Sequence, residues 1–245
     1  MTALSILLVG LLLGMQHATE ADHLAAVATL ATRQTTLAQA LRQGVAWGIG
    51  HTLTLMAFGG AVFVLGQAIS PSLEQALETA VGIMLIVLGA DVLRRLIRER
   101  IHFHVHQHHP RGPQDAATEH VHAHSHAGEG RHELSPHGHA HATQLPLRAL
   151  AVGMMHGLAG SAALVVLSLK AVPSLSLGLG YIAVFGLGSI AGMALLSVVI
   201  ALPLRWSAGH LVALHRSMTA LVGLFSCALG IYTVVEVGYL GAALF

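Results

Sequence analysis

The residues best placed to do chemistry are two histidines and two carboxylates in the stretch His17-Ala18-Thr19-Glu20-Ala21-Asp22-His23, which interrupts an otherwise apolar run. Imidazole nitrogen combined with carboxylate oxygen suits nickel, cobalt, zinc or iron rather than calcium or magnesium. Metal or proton handling is the chemistry this set offers; the alternative is a hydrated polar kink or a hydrogen-bonded cluster between helices. Charges at membrane depth cost about 2.5–3.5 kcal/mol each on insertion scales, so these groups are expected to face the protein interior. On a regular helix His17, Glu20 and His23 fan over roughly 120°, whereas Asp22 projects about 140° from His17. Convergence on one ion therefore requires the helix to unwind or neighbouring helices to add ligands.

Two further histidines are candidates for that role. His51 lies in Trp47-Gly48-Ile49-Gly50-His51-Thr52, where glycines permit close approach of another helix. His156 lies in Gly153-Met154-Met155-His156-Gly157-Leu158-Ala159-Gly160-Ser161. The alternative for either is a hydrogen bond to a neighbouring helix. Met15, Met154 and Met155 carry thioethers, but apolar packing is the better reading for them. A hydrolase built on His156 and Ser161 lacks a third group to orient the base, and the zinc-protease pattern H-E-x-x-H is absent. No enzyme activity is expected.

Thirteen of the nineteen histidines fall between His102 and His141. Among them His102, His104, His106, His108, His109, His120, His122, His124, His126, His137, His139 and His141 form the candidate loop ligands. Their loose spacing predicts a weak, multi-site store whose affinity falls with acidification, because imidazole must be neutral to bind metal. A low-complexity linker is the alternative reading.

The elements that must position these groups are membrane helices. Of 245 residues 54% are apolar and only 9% charged, against about 25% charged in soluble domains. Six apolar stretches long enough to cross a bilayer run over about 3–31, 43–69, 74–97, 147–170, 177–204 and 214–241. The first has no basic flank or small-residue cleavage site and is read as a span rather than a signal peptide. The single cysteine, Cys227, excludes an internal disulfide and a cysteine-based metal cluster. No basic aromatic patch points to nucleic acid. The segment 98–146 is too polar to bury a core and is expected to lack fixed structure until metal binds. With six spans, Arg33, Arg42, Arg94, Arg95, Arg98, Arg100, Arg111, Arg131, Arg148, Arg205 and Arg216 all fall on one side and Lys170 on the other. The positive-inside rule makes that side cytoplasmic and puts both termini outside, in the cell (inner) membrane. Asp91 is expected in an interfacial ion pair with Arg94 or Arg95, and His210 and His215 exposed in a short loop.

The halves repeat. Gly14-Met15-Gln16-His17 matches Gly153-Met154-Met155-His156, and Gly48-Ile49-Gly50-His51 matches Gly186-Leu187-Gly188-Ser189. Val81-Gly82 with Gly89 matches Val222-Gly223 with Gly230. The predicted fold is all-α and polytopic: three helices over 1–97, the histidine-rich cytoplasmic loop over 98–146, and three inverted helices over 147–245. In inverted repeats the substrate site lies near the midplane.

The run His17-x4-Asp22-His23, followed by Thr32-Arg33 and Gly50-His51-Thr52, resembles the nickel/cobalt transporter family, whose signature is H-x4-D-H with G-H-[ST] in the next helix. The segment Met155-His156-Gly157-Leu158-Ala159-Gly160-Ser161 is similar to the short urease-accessory-type members, which lack the family's first helix. The resemblance implies a permease importing nickel or cobalt, with His17, Asp22, His23 and His51 as ligands or selectivity residues; efflux on the same fold is the alternative. This chain lacks the later L-G-x-D-T-x-T-E-type motif of longer members and has Glu20 where they often have Asp. The expected partners are the metal ion, the bilayer and a cytoplasmic metallochaperone, with no resident cofactor.

Overall fold

A computed structural model describes residues 3–65, 70–98, 102–107, 119–124, 146–159 and 174–243. Its described elements are helices α1 (Ala3–His17), α2 (Ala21–Ala31), α3 (Leu37–Leu65) and α4 (Pro71–Arg98), strands β1 (His102–Gln107) and β2 (Glu119–His124), and helices α5 (Leu147–Leu158), α6 (Leu175–His210) and α7 (Val212–Ala243). The bundle is all-helical, and its helices pair as α4 with α7, α3 with both α5 and α6, and α1 with α6.

The first expected span is two helices. The last turn of α1 closes through Thr19 N–H to the Gln16 carbonyl (2.9 Å) and Glu20 N–H to the His17 carbonyl (3.1 Å). Glu20 then adopts an extended conformation (φ −62°, ψ 150°) before α2 begins, and the two helix axes differ by 56°. The span expected from 74 begins earlier: Pro71 is the first residue of α4, where a missing N–H costs nothing and the fixed φ suits a helix start. Pro203 lies inside α6, which continues to His210.

Among the described residues, Pro71–Arg98, Ser176–Ala208 and Val212–Gly238 are long and apolar enough to cross a membrane, and α1 with α2 makes a fourth span if the bent pair counts as one. Only 17% of the apolar window in Val212–Gly238 is buried within the protein, and apolar side chains such as Leu221, Leu224, Ile231 and Val235 are exposed. Continuous outward apolar surface of this length belongs in lipid. The protein is therefore a membrane protein. The 29 residues of α3 reach about 43 Å at 1.5 Å per residue, but Arg42, Gln43, His51 and several glycines dilute its apolar character. The fourth expected span, 147–170, is described only through Ala159; residues 160–173, with Ser161, lie outside the described residues.

Inside the segment expected to lack fixed structure, β1 and β2 pair as an antiparallel ribbon. At the α6–α7 joint, His215 is not simply exposed. It is half-buried, with Nδ1 3.0 Å from the Leu204 carbonyl and 3.2 Å from Ser207 Oγ. Asp91 pairs with Arg95 as expected (3.3 Å), and also with Arg33, which ties the end of α2 to the end of α4.

Glycines set how closely the helices approach. A Cβ on Gly14 would overlap the backbone of Phe185 and Ser189 in α6, and one on Gly153 would overlap that of Trp47 in α3. Gly188 meets Leu11 and Met15 of α1, while Gly50 meets Leu150 and Met154 of α5. Between α4 and α7, Gly82 meets Gly230 and Gly89 meets Gly223. These approaches allow side chain-to-backbone bonds across helices: Ser189 Oγ donates to the Gly14 carbonyl (3.2 Å), Thr52 Oγ1 to that of Gly186 (3.1 Å) and Ser226 Oγ to that of Leu85 (2.9 Å).

Close approach at Gly153 has a testable consequence. Gly153→Val should lower the thermal unfolding midpoint of the detergent-solubilised protein, with a cost of at least about 1–3 kcal/mol for overpacking. Gly238→Val, where a Cβ meets nothing within 4 Å, should leave the midpoint unchanged. Equal midpoints for the two variants would contradict the packing described.

Candidate metal centre

The break between α1 and α2 resolves the geometric conflict of a regular helix. His17 closes α1, Glu20 occupies the break, and Asp22 and His23 open α2. Asp22 in the first turn of α2 also sits at the positive end of the helix dipole, which stabilises its charge. Four imidazoles meet there: His17, His23, His51 from α3 and His156 from α5, with 5%, 2%, 0% and 2% of their surfaces exposed. The ring centroids of His17 and His23 are 4.5 Å apart, those of His17 and His51 5.1 Å, and those of His23 and His156 4.9 Å. Every histidine named from the sequence for the intramembrane site therefore joins one cluster.

The hydrogen bonds orient the rings. His156 Nδ1 lies 3.1 Å from the Val152 carbonyl, and a carbonyl only accepts, so Nδ1 carries the proton and Nε2 the lone pair. His17 Nδ1 is 2.7 Å from Glu20 Oε1 and His23 Nδ1 is 2.9 Å from Asp22 Oδ1. An ionised carboxylate also only accepts, which again leaves Nε2 as the free donor of electrons. This is the arrangement in which metal-binding histidines usually hold their second nitrogen, on a carboxylate or a backbone carbonyl. Nε2 of His17, His23 and His156 and both nitrogens of His51 are buried with no hydrogen-bond partner. Each buried polar atom left so costs about 1–3 kcal/mol. Five such nitrogens lie within one cluster of rings, and a divalent ion would satisfy those that face one another.

One ligand atom from each of His17, His23 and His51 lies within 4.8 Å of the others, and Glu20, Asp22 and His23 form a second such group. His23 is common to both groups, and Asp22 belongs to the second. Asp22 Oδ1 also accepts from the His23 backbone N–H (2.8 Å), while Oδ2 lies 3.7 Å from His156 Nε2, beyond hydrogen-bonding range. Asp22 thus faces α5 with an oxygen free to bind, and Glu20 is the more exposed carboxylate, at 46%.

Two residues not named from the sequence pack against the cluster. Trp47 is fully buried and stacks on His23 with centroids 5.7 Å apart and planes 11° from parallel. Phe185 lies 5.5 Å from His17. Trp47 precedes His51 by four residues, so helical spacing alone places both on one face. Phe185 has no such local signal. Met15, Met154 and Met155 are exposed and take no part in the cluster. Of the loop candidates, His102, His104, His106, His120, His122 and His124 lie in the ribbon, and His108, His109, His126, His137, His139 and His141 lie outside the described residues.

The division between ligand and orienting group can be tested by nickel titration calorimetry on the purified protein lacking residues 102–141. His51→Ala should abolish the tightest binding event. Asp22→Asn, which keeps shape but weakens the hold on His23, should reduce affinity about 10- to 100-fold, as losing an outer-shell partner does. Unchanged affinity in His51→Ala would remove α3 from the site.

No protein-family model matches the chain, and no solved structure matches it. The chain is 32% identical over 239 residues to the urease accessory protein UreH of Bacillus sp. (strain TB-90), a match that covers 96% of this chain and 92% of the relative. With that identity along nearly the whole of both proteins, the chain belongs to the family of the urease accessory protein UreH.

Proposed function

We propose that the chain is a nickel or cobalt permease that brings the ion into the cytoplasm through the four-histidine cluster, and that its family lies within the nickel/cobalt transporter superfamily. The observation that carries this reading is the set of buried, unpartnered imidazole nitrogens gathered at a break in an apolar helix. Broken helices at the substrate site are the usual device of secondary transporters. Imidazole with carboxylate favours nickel, cobalt or zinc over harder cations. The H-x4-D-H and G-H-T motifs narrow that choice to nickel or cobalt. That the relative is a urease accessory protein fits a role in supply rather than catalysis.

The reading includes six spans in two inverted halves. Reciprocal glycine contacts support it: Gly14 on Phe185 has its counterpart in Gly153 on Trp47, and Gly50 on Leu150 in Gly188 on Leu11. In each pair the residues are related by the same offset as the sequence repeat. Helices α1 and α5 also stop at or just beyond their matched histidines, His17 and His156. The side bearing the arginines is cytoplasmic, so the ribbon segment faces the cytoplasm, where a metallochaperone would collect the ion. An inward-negative potential favours a divalent cation by about 2.3 kcal/mol per charge per 100 mV.

Metal accumulation in cells expressing the protein tests direction and site together. Wild type should raise cell nickel or cobalt, while His23→Ala and His51→Ala, matched for membrane abundance, should return it to background. Removing residues 102–141 should weaken accumulation without abolishing it. A fall in cell metal on expression would overturn import, and full accumulation by His23→Ala would overturn the site.

A further inference from the structure

The short helix α2 carries candidate metal ligands at one end and a charged tie at the other. Asp22 and His23 open it. Just past its far end Arg33 bonds Asp91 Oδ2 of α4, and Arg95 Nε reaches the same oxygen at 3.3 Å. Arg95 also donates to Thr32 Oγ1 (3.4 Å), whose hydroxyl donates to the Thr29 carbonyl (2.7 Å). One carboxylate thus holds two guanidiniums, and the contacts close a ring between the ends of α2 and α4. Along α2, between His23 and Arg33, the packing is dense. Ala25, Ala26, Val27 and Leu30 are buried and share one apolar core with Trp47 of α3 and with Val81 and Leu85 of α4. An apolar layer of this kind excludes water and ions while it stays closed.

We propose that Asp91, with Arg33 and Arg95, is the inner latch of the transport path: it holds α2 against α4 so that this layer stays closed, and an ion leaves toward the arginine-bearing side only when the latch opens. The inference rests on the permease reading for what passes and in which direction. Asp91 is a positioning residue, which touches no ligand of the cluster and acts through α2.

The fold gives α2 the means to move as a unit. It packs against α6, which pairs with α1 and α3, and against α4 and α7, which pair with each other. At its start the extended Glu20 separates it from α1 at a bend of 56°, and short irregular stretches at element ends are where hinges form. Its 11 residues span about 16 Å as one rod, so a shift at Arg33 is carried to Asp22 and His23. The ring is also placed to open. Arg33, Asp91 and Arg95 are all partly exposed, and ion pairs in contact with water hold weakly enough to exchange. The charges are unequal, with two cations on one anion. Loss of Asp91 therefore leaves Arg33 and Arg95 facing each other, and like charges at that range push α2 and α4 apart. Loss of Arg33 leaves Asp91 still paired with Arg95.

The test reads closure of the layer directly. In the full chain carrying Cys227→Ser, the change Val27→Cys puts a thiol into the apolar layer, and Leu30→Cys puts one nearer the latch. Labelling by a charged, membrane-impermeant maleimide is followed in inside-out membrane vesicles. Each parent should label slowly. Asp91→Asn should speed labelling about three- to fivefold, the range over which a partly exposed ion network shifts an equilibrium. Arg33→Gln alone should speed it less. Adding Arg33→Gln to Asp91→Asn should slow labelling again, because the repulsion is gone, and Asp91→Glu should match the parent. A loosened fold would instead label faster in the single and the double variant alike. Equal rates in parent and Asp91→Asn, a double variant as fast as Asp91→Asn, or acceleration only in right-side-out vesicles would overturn the latch. Labelling needs no transport, so nickel accumulation in the same cells decides the permease reading separately.

Discussion

The interruption of the first span at residues 18–20 is the constraint on which the rest depends. A continuous helix would hold Asp22 away from the arc of His17 and His23, and the cluster could not close. The break lets each carboxylate turn back to a histidine in its own neighbourhood, Glu20 to His17 and Asp22 to His23. Those bonds fix which nitrogen of each ring carries the proton. The lone pairs that remain are aimed inward by default rather than by any further contact. A short stretch of irregular backbone thus determines both the placement and the tautomers of half the cluster.

Irregular backbone in an apolar setting needs shelter, and the glycine contacts provide it. Gly14 lets α1 lie against the backbone of α6 three residues before His17, and Gly153 does the same for α5 against α3 three residues before His156. Close approach brings His51 and His156 within ring contact of His23, and it also brings the Trp47 indole flat against His23. Any bulk at these glycines would separate the helices by the width of a side chain and open the cluster. Site and packing are therefore one feature: the residues that let the helices touch are the ones that let the imidazoles meet.

Much of this was legible in the chain because membrane sequences are economical. Ionisable groups in apolar runs stand out, and His17, Glu20, Asp22, His23, His51 and His156 could be named with no structure. That a regular helix alone could not close the site, without either a break or ligands from neighbouring helices, followed from helical angles. The position of the break did not, since Thr19 and Ala21 carry no strong stop signal, and the turn is closed by backbone bonds any residue could make. Two helices run past their expected ends at prolines: α4 starts at Pro71, before the expected 74, and α6 carries Pro203 on to His210, beyond the expected 204. Phe185 and the Val152 carbonyl were invisible because their roles depend on which helices become neighbours and on backbone position. The ribbon in the loop escaped notice for another reason. Histidine repeats draw the eye to metal chemistry, while the alternation of His with Phe103, Val105, Val121 and Ala123 is a strand pattern of period two.

Charge balance ties the cluster to its proposed cargo. Metal binding requires neutral imidazoles and ionised carboxylates; four of the first and two of the second would sum to minus two, so a bound divalent cation would bring the assembly to neutrality. A neutral assembly avoids most of the large desolvation cost that an isolated ion would meet in a low-dielectric surround. A monovalent ion would leave one carboxylate uncompensated, and a trivalent one would leave excess positive charge. The hydrogen bonds spread the carboxylate charge through the imidazole rings toward the lone pairs, so the ligands become better electron donors without moving. On the proposed reading, selection by valence would come from the count of carboxylates and selection by softness from the count of imidazoles, and the same short stretch of broken helix supplies both carboxylates and two of the four rings.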